Sequence, residues 1–204
     1  LNMKKVNTSR TAEEIVISEI LKQNISGKTG KEITKLMDES PMTISRALFE
    51  LQQHNYCKLI QNGREKTVTL LDKNRLWVLV KNNFTTPVES TTFVKDLKNI
   101  EHYTVKAGTT ALSKLGMLNE EDKAILAIYK KEYIKLLKNN KINLCNEDDA
   151  RFIIEVWNIS PFFCSNNGII NPISLYLSMK DEADDRIQLE IKKILEQYGL
   201  NIDG

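Results

Sequence analysis

Apolar residues recur at helical spacing in three successive segments near the start of the chain, with polar residues between them. Residues 11–14 and 29–32 both carry the pattern Thr-x-x-Glu, whose side chains cap the first turn of a helix. Ser40 followed by Pro41 marks a third helix start, because serine is a good cap and proline fits the first helical position. We therefore predict helices from about Ala12 to Gln23, from residue 30 to about Asp38, and from Pro41 onward.

The third predicted helix has one apolar face, and a strand-like pattern follows it. The residues on that face are Ile44, Ala47, Leu48 and Leu51. Residues 56–60 and 66–71 then favour strands, and between them lies Asn62-Gly63, a preferred hairpin turn pair. Three helices followed by a hairpin is the order of a winged helix-turn-helix domain. We predict such a domain over residues 1–75.

Residues 76–204 predict a second domain, in which helix and strand patterns are mixed. The segment KNRLWVLVKNN indicates a helix that connects the two domains, and Lys130–Leu137 fits either a helix or a strand. The remaining elements are strands at 90–94, 124–129 and 152–157, and helices at 110–115, from Pro172 and at 184–197. The predicted fold class is α+β, with an N-terminal winged helix-turn-helix domain followed by a mixed α/β C-terminal domain.

Composition and charge are those of a soluble globular protein with one slightly basic end. The chain is 41% hydrophobic and 27% charged, with a net charge of +2. Residues 1–75 hold 13 Lys and Arg against nine Asp and Glu, whereas the remainder holds 16 against 18. This asymmetry is expected if only the first domain contacts nucleic acid. No apolar run has the roughly 20 residues of a membrane span, and residues 1–10 lack a signal-peptide pattern, so we expect a cytoplasmic protein.

The first two turns of the third helix and the hairpin are the candidate DNA-binding elements. In a helix-turn-helix, the second helix of the pair enters the major groove, and its N-terminal residues face the base edges. The apolar face leaves Met42, Thr43, Ser45 and Arg46 pointing outward. Arg64 and Lys66 place two cations at or beside the hairpin tip, where a wing meets the DNA backbone or minor groove. These six residues are the predicted DNA-binding site on double-stranded DNA.

The same residues allow other interpretations. A three-helix module of this kind also serves in dimerisation or protein docking. Gly27-Lys28-Thr29 lacks the upstream glycine of a phosphate-binding loop, so nucleotide binding is rejected. The acidic clusters at 147–149 and 181–185 carry Mg²⁺-binding residue types, but acids also favour helix starts, and the structural interpretation is preferred. The three cysteines form no CxxC pair and are expected to be free thiols. We expect no enzyme activity, cofactor or metal.

Two families resemble parts of this sequence. TGKEITKLMDESPMTISRALFELQQHNYCKLIQNGREKTVTLL resembles the winged helix-turn-helix of MarR-like bacterial regulators. HYTVKAGTTALSKLGML, FIIEVWNISP and GIINPISLYLSMKDEADDRIQLEI resemble the C-terminal region of AbiEi-type antitoxins or regulators. The resemblance implies a homodimeric regulator that represses its own operon. On the matching positions, it assigns DNA contact to Thr43, Ser45 and Arg46, with Arg64 at the wing.

The same resemblance implies an alternative function for the second domain. AbiEi-type proteins are antitoxins, so residues 76–204 would neutralise a co-encoded nucleotidyltransferase-like toxin. In that case the protein is mainly an interaction protein, and DNA binding is secondary. Co-purification with the product of the neighbouring gene distinguishes this alternative.

Overall fold

The computed structural model describes residues 8–97, 100–119 and 122–202. Residues 1–7, on which the expectation of no signal peptide partly rests, lie outside that description. The chain divides into two compact units, residues 1–84 and 85–204. Helices and strands occur together, so the α+β class is confirmed. The division falls after Phe84 rather than after Arg75, because the helix at 73–83 packs against the first helix of the chain.

The first unit consists of helices and one hairpin. Its elements are α1 (Arg10–Lys22), α2 (Gly30–Met37), α3 (Pro41–Gln53), β1 (Cys57–Asn62), β2 (Glu65–Leu70) and α4 (Lys73–Asn83). α1 and α2 both pack on α3, and α4 packs on α1. The fully buried side chains that form the core include Ile15, Val16, Ile33, Ile44, Leu51, Val68, Leu76 and Val80.

The predicted start is correct for α2 and α3 and wrong for α1. Thr29 accepts from the backbone N–H of Glu32 at 3.3 Å, and the Glu32 carboxylate accepts from that of Thr29 at 2.8 Å. This is the capping box predicted at residues 29–32. α1 instead begins earlier, because Ser9 is its cap and accepts from the backbone N–H of Ala12. Thr11 therefore lies inside the first turn and does not cap it.

The base of the hairpin is joined to the segment that precedes α2. The backbone N–H of Gly27 donates to the Val68 carbonyl at 2.8 Å, and the N–H of Val68 donates to the Lys28 carbonyl at 2.9 Å. These two bonds add a minimal third strand beside β2, and Val68 is fully buried there. The base of the hairpin is thereby held on the core, while residues 60–66 at its tip are exposed.

The second unit is built on a five-stranded sheet. Its elements are β3 (Val88–Leu97), β4 (Thr104–Lys106), α5 (Gly108–Leu115), β5 (Ala124–Tyr129), α6 (Lys130–Lys138), β6 (Ile142–Leu144), β7 (Phe152–Trp157), α7 (Pro172–Met179) and α8 (Asp185–Gln197). The strand order is β4-β5-β7-β3-β6; β5 and β7 pair in parallel, and the other three neighbouring pairs in this order are antiparallel. The predicted strands at 124–129 and 152–157 are confirmed to the residue, and the ambiguous segment at 130–137 is a helix.

Both faces of this sheet are covered by helices. Parallel neighbours need a crossover connection, and α6 lies within the one that leads from β5 to β7. It contributes Leu136 to a buried cluster whose other members are Val94, Ile100, Ile128, Ile142, Ile154 and Val156. On the other side α5 packs against β5, with α7 and α8 packed on α5. Among the described residues, no helix combines the length and the apolar character that crossing a bilayer requires.

Candidate nucleic-acid interface

The start of α3 is fixed by side-chain hydrogen bonds. Ser40 accepts from the backbone N–H of Thr43 at 3.1 Å, and its hydroxyl lies 2.8 Å from the Thr43 hydroxyl. The backbone N–H of Ser9 donates to a Glu50 carboxylate oxygen at 2.6 Å, which ties the start of α1 to α3. Thr43 is half-buried and its hydroxyl is engaged. Of the four α3 residues in the predicted site, it is therefore the least available to a ligand.

The opposite face of α3 presents a mixed apolar and basic surface. The four residues predicted to face inward are all buried, which confirms the orientation of the helix. Met42 is 63% exposed, and Ser45 and Arg46 are exposed as well. The side chain of Arg46 makes no hydrogen bond or ion pair with any residue that the structure describes. Its guanidinium can therefore bind an external acceptor without first breaking an internal contact.

The hairpin tip is one residue further along than the sequence predicts. Asn62 pairs with Glu65, so the two loop residues are Gly63 and Arg64 rather than Asn62 and Gly63. Gly63 has φ +62° at the first loop position, a conformation that glycine adopts without steric cost. Arg64 consequently stands at the tip itself, and Lys66 lies exposed on β2 just behind it.

A groove of about 510 Å³ lies between α2, α3 and the hairpin. Its lining includes Ser45 and Lys66 of the predicted site, together with Lys31, Phe49 and Leu59. Sequence reasoning missed Phe49, which is 61% exposed. The signal was present, because position 49 lies on the helix face opposite the four buried residues of α3. The lining of the groove thus combines apolar side chains with two lysine cations.

The acidic clusters of the second unit lie at a short turn and at the start of α8. Residues 147–149 form a short 3₁₀ turn. Asp184 caps α8, and its bonds to the side chain and backbone of Arg186 lower the pKa of its carboxyl to about 2. Within the described ranges, no three His, Cys, Asp or Glu side chains converge in a way that could hold a metal ion.

The cysteines and one half-buried carboxyl are further candidates for reactive groups. All three cysteines are free, and burial raises the pKa of the Cys57 thiol to about 11, which leaves little thiolate at neutral pH. Glu155 on β7 accepts from the indole N–H of Trp157 at 2.8 Å. Burial raises the pKa of the Glu155 carboxyl, and the indole bond partly offsets this effect.

Comparison with protein-family models, with curated proteins and with solved structures gives no match. The resemblance to MarR-like and AbiEi-type proteins therefore stays a prediction.

Proposed function

We propose that this protein is a sequence-specific, DNA-binding transcriptional regulator whose first unit is a winged helix-turn-helix domain. The order of α1, α2, α3 and the β1–β2 hairpin supports this proposal, as do the three residues that separate α2 from α3. The minimal strand at Gly27–Lys28 supports it too, because it holds the base of the hairpin against the helices while its tip extends.

The observation that carries the proposal is the division of α3 into two faces. Burial of its apolar face fixes the rotation of the helix, so Ser45 and Arg46 point outward near its N-terminal end. A helix N-terminus attracts phosphate, and an arginine without an internal partner can bond guanine with two parallel hydrogen bonds. Arg64 at the hairpin tip supplies a second, separate cation for the backbone or minor groove.

A selection of bound duplexes from a randomised DNA pool tests this proposal, because it does not require the operator sequence to be known. We expect one sequence to be enriched. If the protein binds as a dimer, the enriched site is a palindrome with half-sites about 10 base pairs apart, centre to centre. A pool that stays random after repeated rounds would contradict sequence-specific binding.

Arg46→Ala is expected to weaken binding to the selected duplex by about 1–3 kcal/mol, because a bidentate base contact is lost. Fluorescence anisotropy at fixed salt measures the effect. The difference in affinity between the selected duplex and a random duplex should be smaller in the variant, since the lost contact is specific to the base.

Arg75→Ala provides the matched control for that measurement. Arg75 lies exposed on α4 in the same unit, where it pairs with Asp72, and its removal changes the net charge equally. We expect it to leave the preference for the selected duplex intact. Equal losses from the two variants, on both duplexes, would mean that Arg46 acts only through general electrostatics.

The antitoxin role of residues 76–204 stays a prediction. Co-purification of the full chain with the product of the neighbouring gene is the direct test. A complex that survives Arg46→Ala would separate partner binding from DNA binding.

A further inference from the structure

The second unit is acidic overall but concentrates its cations in one short segment. Residues 85–204 hold 15 Lys and Arg against 18 Asp and Glu. Residues 130–141, which comprise α6 and the turn after it, hold five lysines and a single glutamate. A third of the basic residues of the unit thus lie in a tenth of its length. Nothing in the proposed function of the first unit accounts for this concentration.

The helical geometry of α6 places these lysines on one outward face. Tyr133, Leu136 and Leu137 pack on the sheet and define the inner face. At 100° per residue, Lys131, Lys135 and Lys138 lie diametrically opposite that inner face. All three are exposed, and so is Lys141 just beyond the helix. We call the four residues Lys131, Lys135, Lys138 and Lys141 the α6 lysine face.

Most of this charge is not neutralised within the chain. Lys135 pairs with Glu132 at 2.7 Å, and the ammonium of Lys131 lies 5.5 Å from the ring centroid of Tyr129. For the side-chain ammonium groups of Lys138 and Lys141, the described part of the chain offers neither a hydrogen bond nor an ion pair. Both cations are therefore available to an external anion without the loss of an internal contact.

The residue types on this face favour nucleic acid over protein as the partner. Protein interfaces are depleted in lysine and enriched in arginine and aromatic residues, whereas lysine is a common ligand of DNA phosphates. Residues 130–141 contain no arginine, and the one large apolar residue exposed on α6 is Ile134 at 41%. The three helical lysines of the α6 lysine face span roughly 10 Å, a length over which duplex DNA presents about six phosphate charges.

We infer that the α6 lysine face is a second nucleic-acid contact, which binds the phosphate backbone of duplex DNA without sequence preference. This inference rests on the proposed DNA-binding function and extends it to the second unit. The face contributes affinity and salt dependence, and α3 contributes the choice of sequence. The two contacts therefore predict different responses to mutation, so they can be tested separately on the full chain.

The test compares Lys138→Ala/Lys141→Ala with the wild-type chain on the selected duplex and on a random duplex across a salt series. Each phosphate contact contributes about 0.9 to the slope of log affinity against log salt. We expect the slope to fall by about two on both duplexes, with an equal several-fold loss of affinity for each. The charge-preserving pair Lys138→Arg/Lys141→Arg should restore the slope.

Lys95→Ala/Lys114→Ala is the matched control, because both lysines are exposed in the second unit and lie outside α6. Melting temperatures establish that all variants fold. An unchanged slope in the α6 variant, or an equal fall in the control, overturns the inference while Arg46→Ala still tests the first unit. A slope that falls while no sequence is preferred supports this inference and overturns the proposed function.

Two further outcomes would overturn the inference about the α6 lysine face. A wild-type chain that binds no duplex overturns both proposals together. Poly-glutamate that binds the wild type and loses affinity in the α6 variant, with DNA binding unchanged, would identify an acidic polypeptide as the partner. That result overturns the nucleic-acid assignment.

Discussion

Gly108→Ala is expected to lower the free energy of unfolding of the second unit by about 2–4 kcal/mol, from left-handed strain and overpacking together. Gly108 is buried at the start of α5 with φ +50°, a conformation that residues with a Cβ rarely adopt. An added Cβ would lie 2.8 Å from Cδ1 and 3.0 Å from Cγ2 of Ile125, and 3.3 Å from a Glu155 carboxylate oxygen. Both penalties apply at the contact between α5 and the sheet.

Gly168→Ala separates the two penalties. Gly168 has φ +70°, but nothing lies within 4 Å of the position of its added Cβ. This variant is therefore expected to show the backbone strain alone, about 1 kcal/mol. The difference between the two variants measures the steric overlap with Ile125.

Urea unfolding followed by tryptophan fluorescence provides the measurement. Trp77 and Trp157 are both buried, one in each unit, so a Trp77→Phe background leaves Trp157 as the reporter of the second unit. A Gly108→Ala transition no lower than that of Gly168→Ala would contradict the close packing of α5 on β5.

The first unit could be predicted well from its sequence because its signals are local. A capping box and a Ser-Pro pair mark the starts of α2 and α3 within four residues each, and tertiary contacts did not override them. The sequence predicts the start of α1 incorrectly because Ser9 and Thr11 are both good caps, and only the structure distinguishes them. The hairpin turn lies one residue later than predicted for a similar reason, since glycine fits either loop position.

The second unit could be predicted only in part because its sheet is assembled from distant segments. β4 and β6 contain three residues each, too few for an alternating pattern to be recognised. The parallel pairing of β5 with β7 and the strand order depend on contacts between residues far apart in the chain. Periodicity identifies a strand but does not identify its neighbours.

The candidate site shows the same limit on a smaller scale. The outward direction of Arg46 follows from the buried face of α3 and was predictable. The hydrogen bond between the hydroxyls of Ser40 and Thr43 was not predictable, because a threonine three residues after a cap can point toward the cap or toward solvent. The groove beside Phe49 depends on the distance between α3 and the hairpin, which no local pattern encodes.

Glu14→Gln is expected to stabilise the first unit at pH 8 by about 2–3 kcal/mol and to have little effect near pH 4.5. Glu14 lies half-buried on α1. Burial raises the pKa of its carboxyl to about 7, with smaller contributions from the charges of Glu39 and Glu13, while Arg10 acts in the opposite direction. Glutamine keeps the size and polarity of the side chain but cannot ionise.

The direction of the effect follows from proton binding. An unfolded glutamate has a pKa near 4.5. Between pH 4.5 and 7 the folded chain retains the proton of Glu14 and the unfolded chain has lost it, so the free energy of unfolding falls as the pH rises. Below this window both states are protonated, and above it both are ionised and the penalty is constant. The difference between the variant and the wild type should therefore grow from near zero at pH 4.5 to its full size above pH 7.

The free energy of unfolding is measured in urea at a series of pH values. Hydrogen exchange at the α1 amides serves as the probe, so that only the first unit is reported. Glu39→Gln is the informative second variant, because Glu39 is the largest electrostatic contributor to the raised pKa after burial. It should retain the pH dependence but shift its midpoint to lower pH. A stability difference between Glu14→Gln and the wild type that does not change with pH would mean that burial of Glu14 is not what destabilises α1.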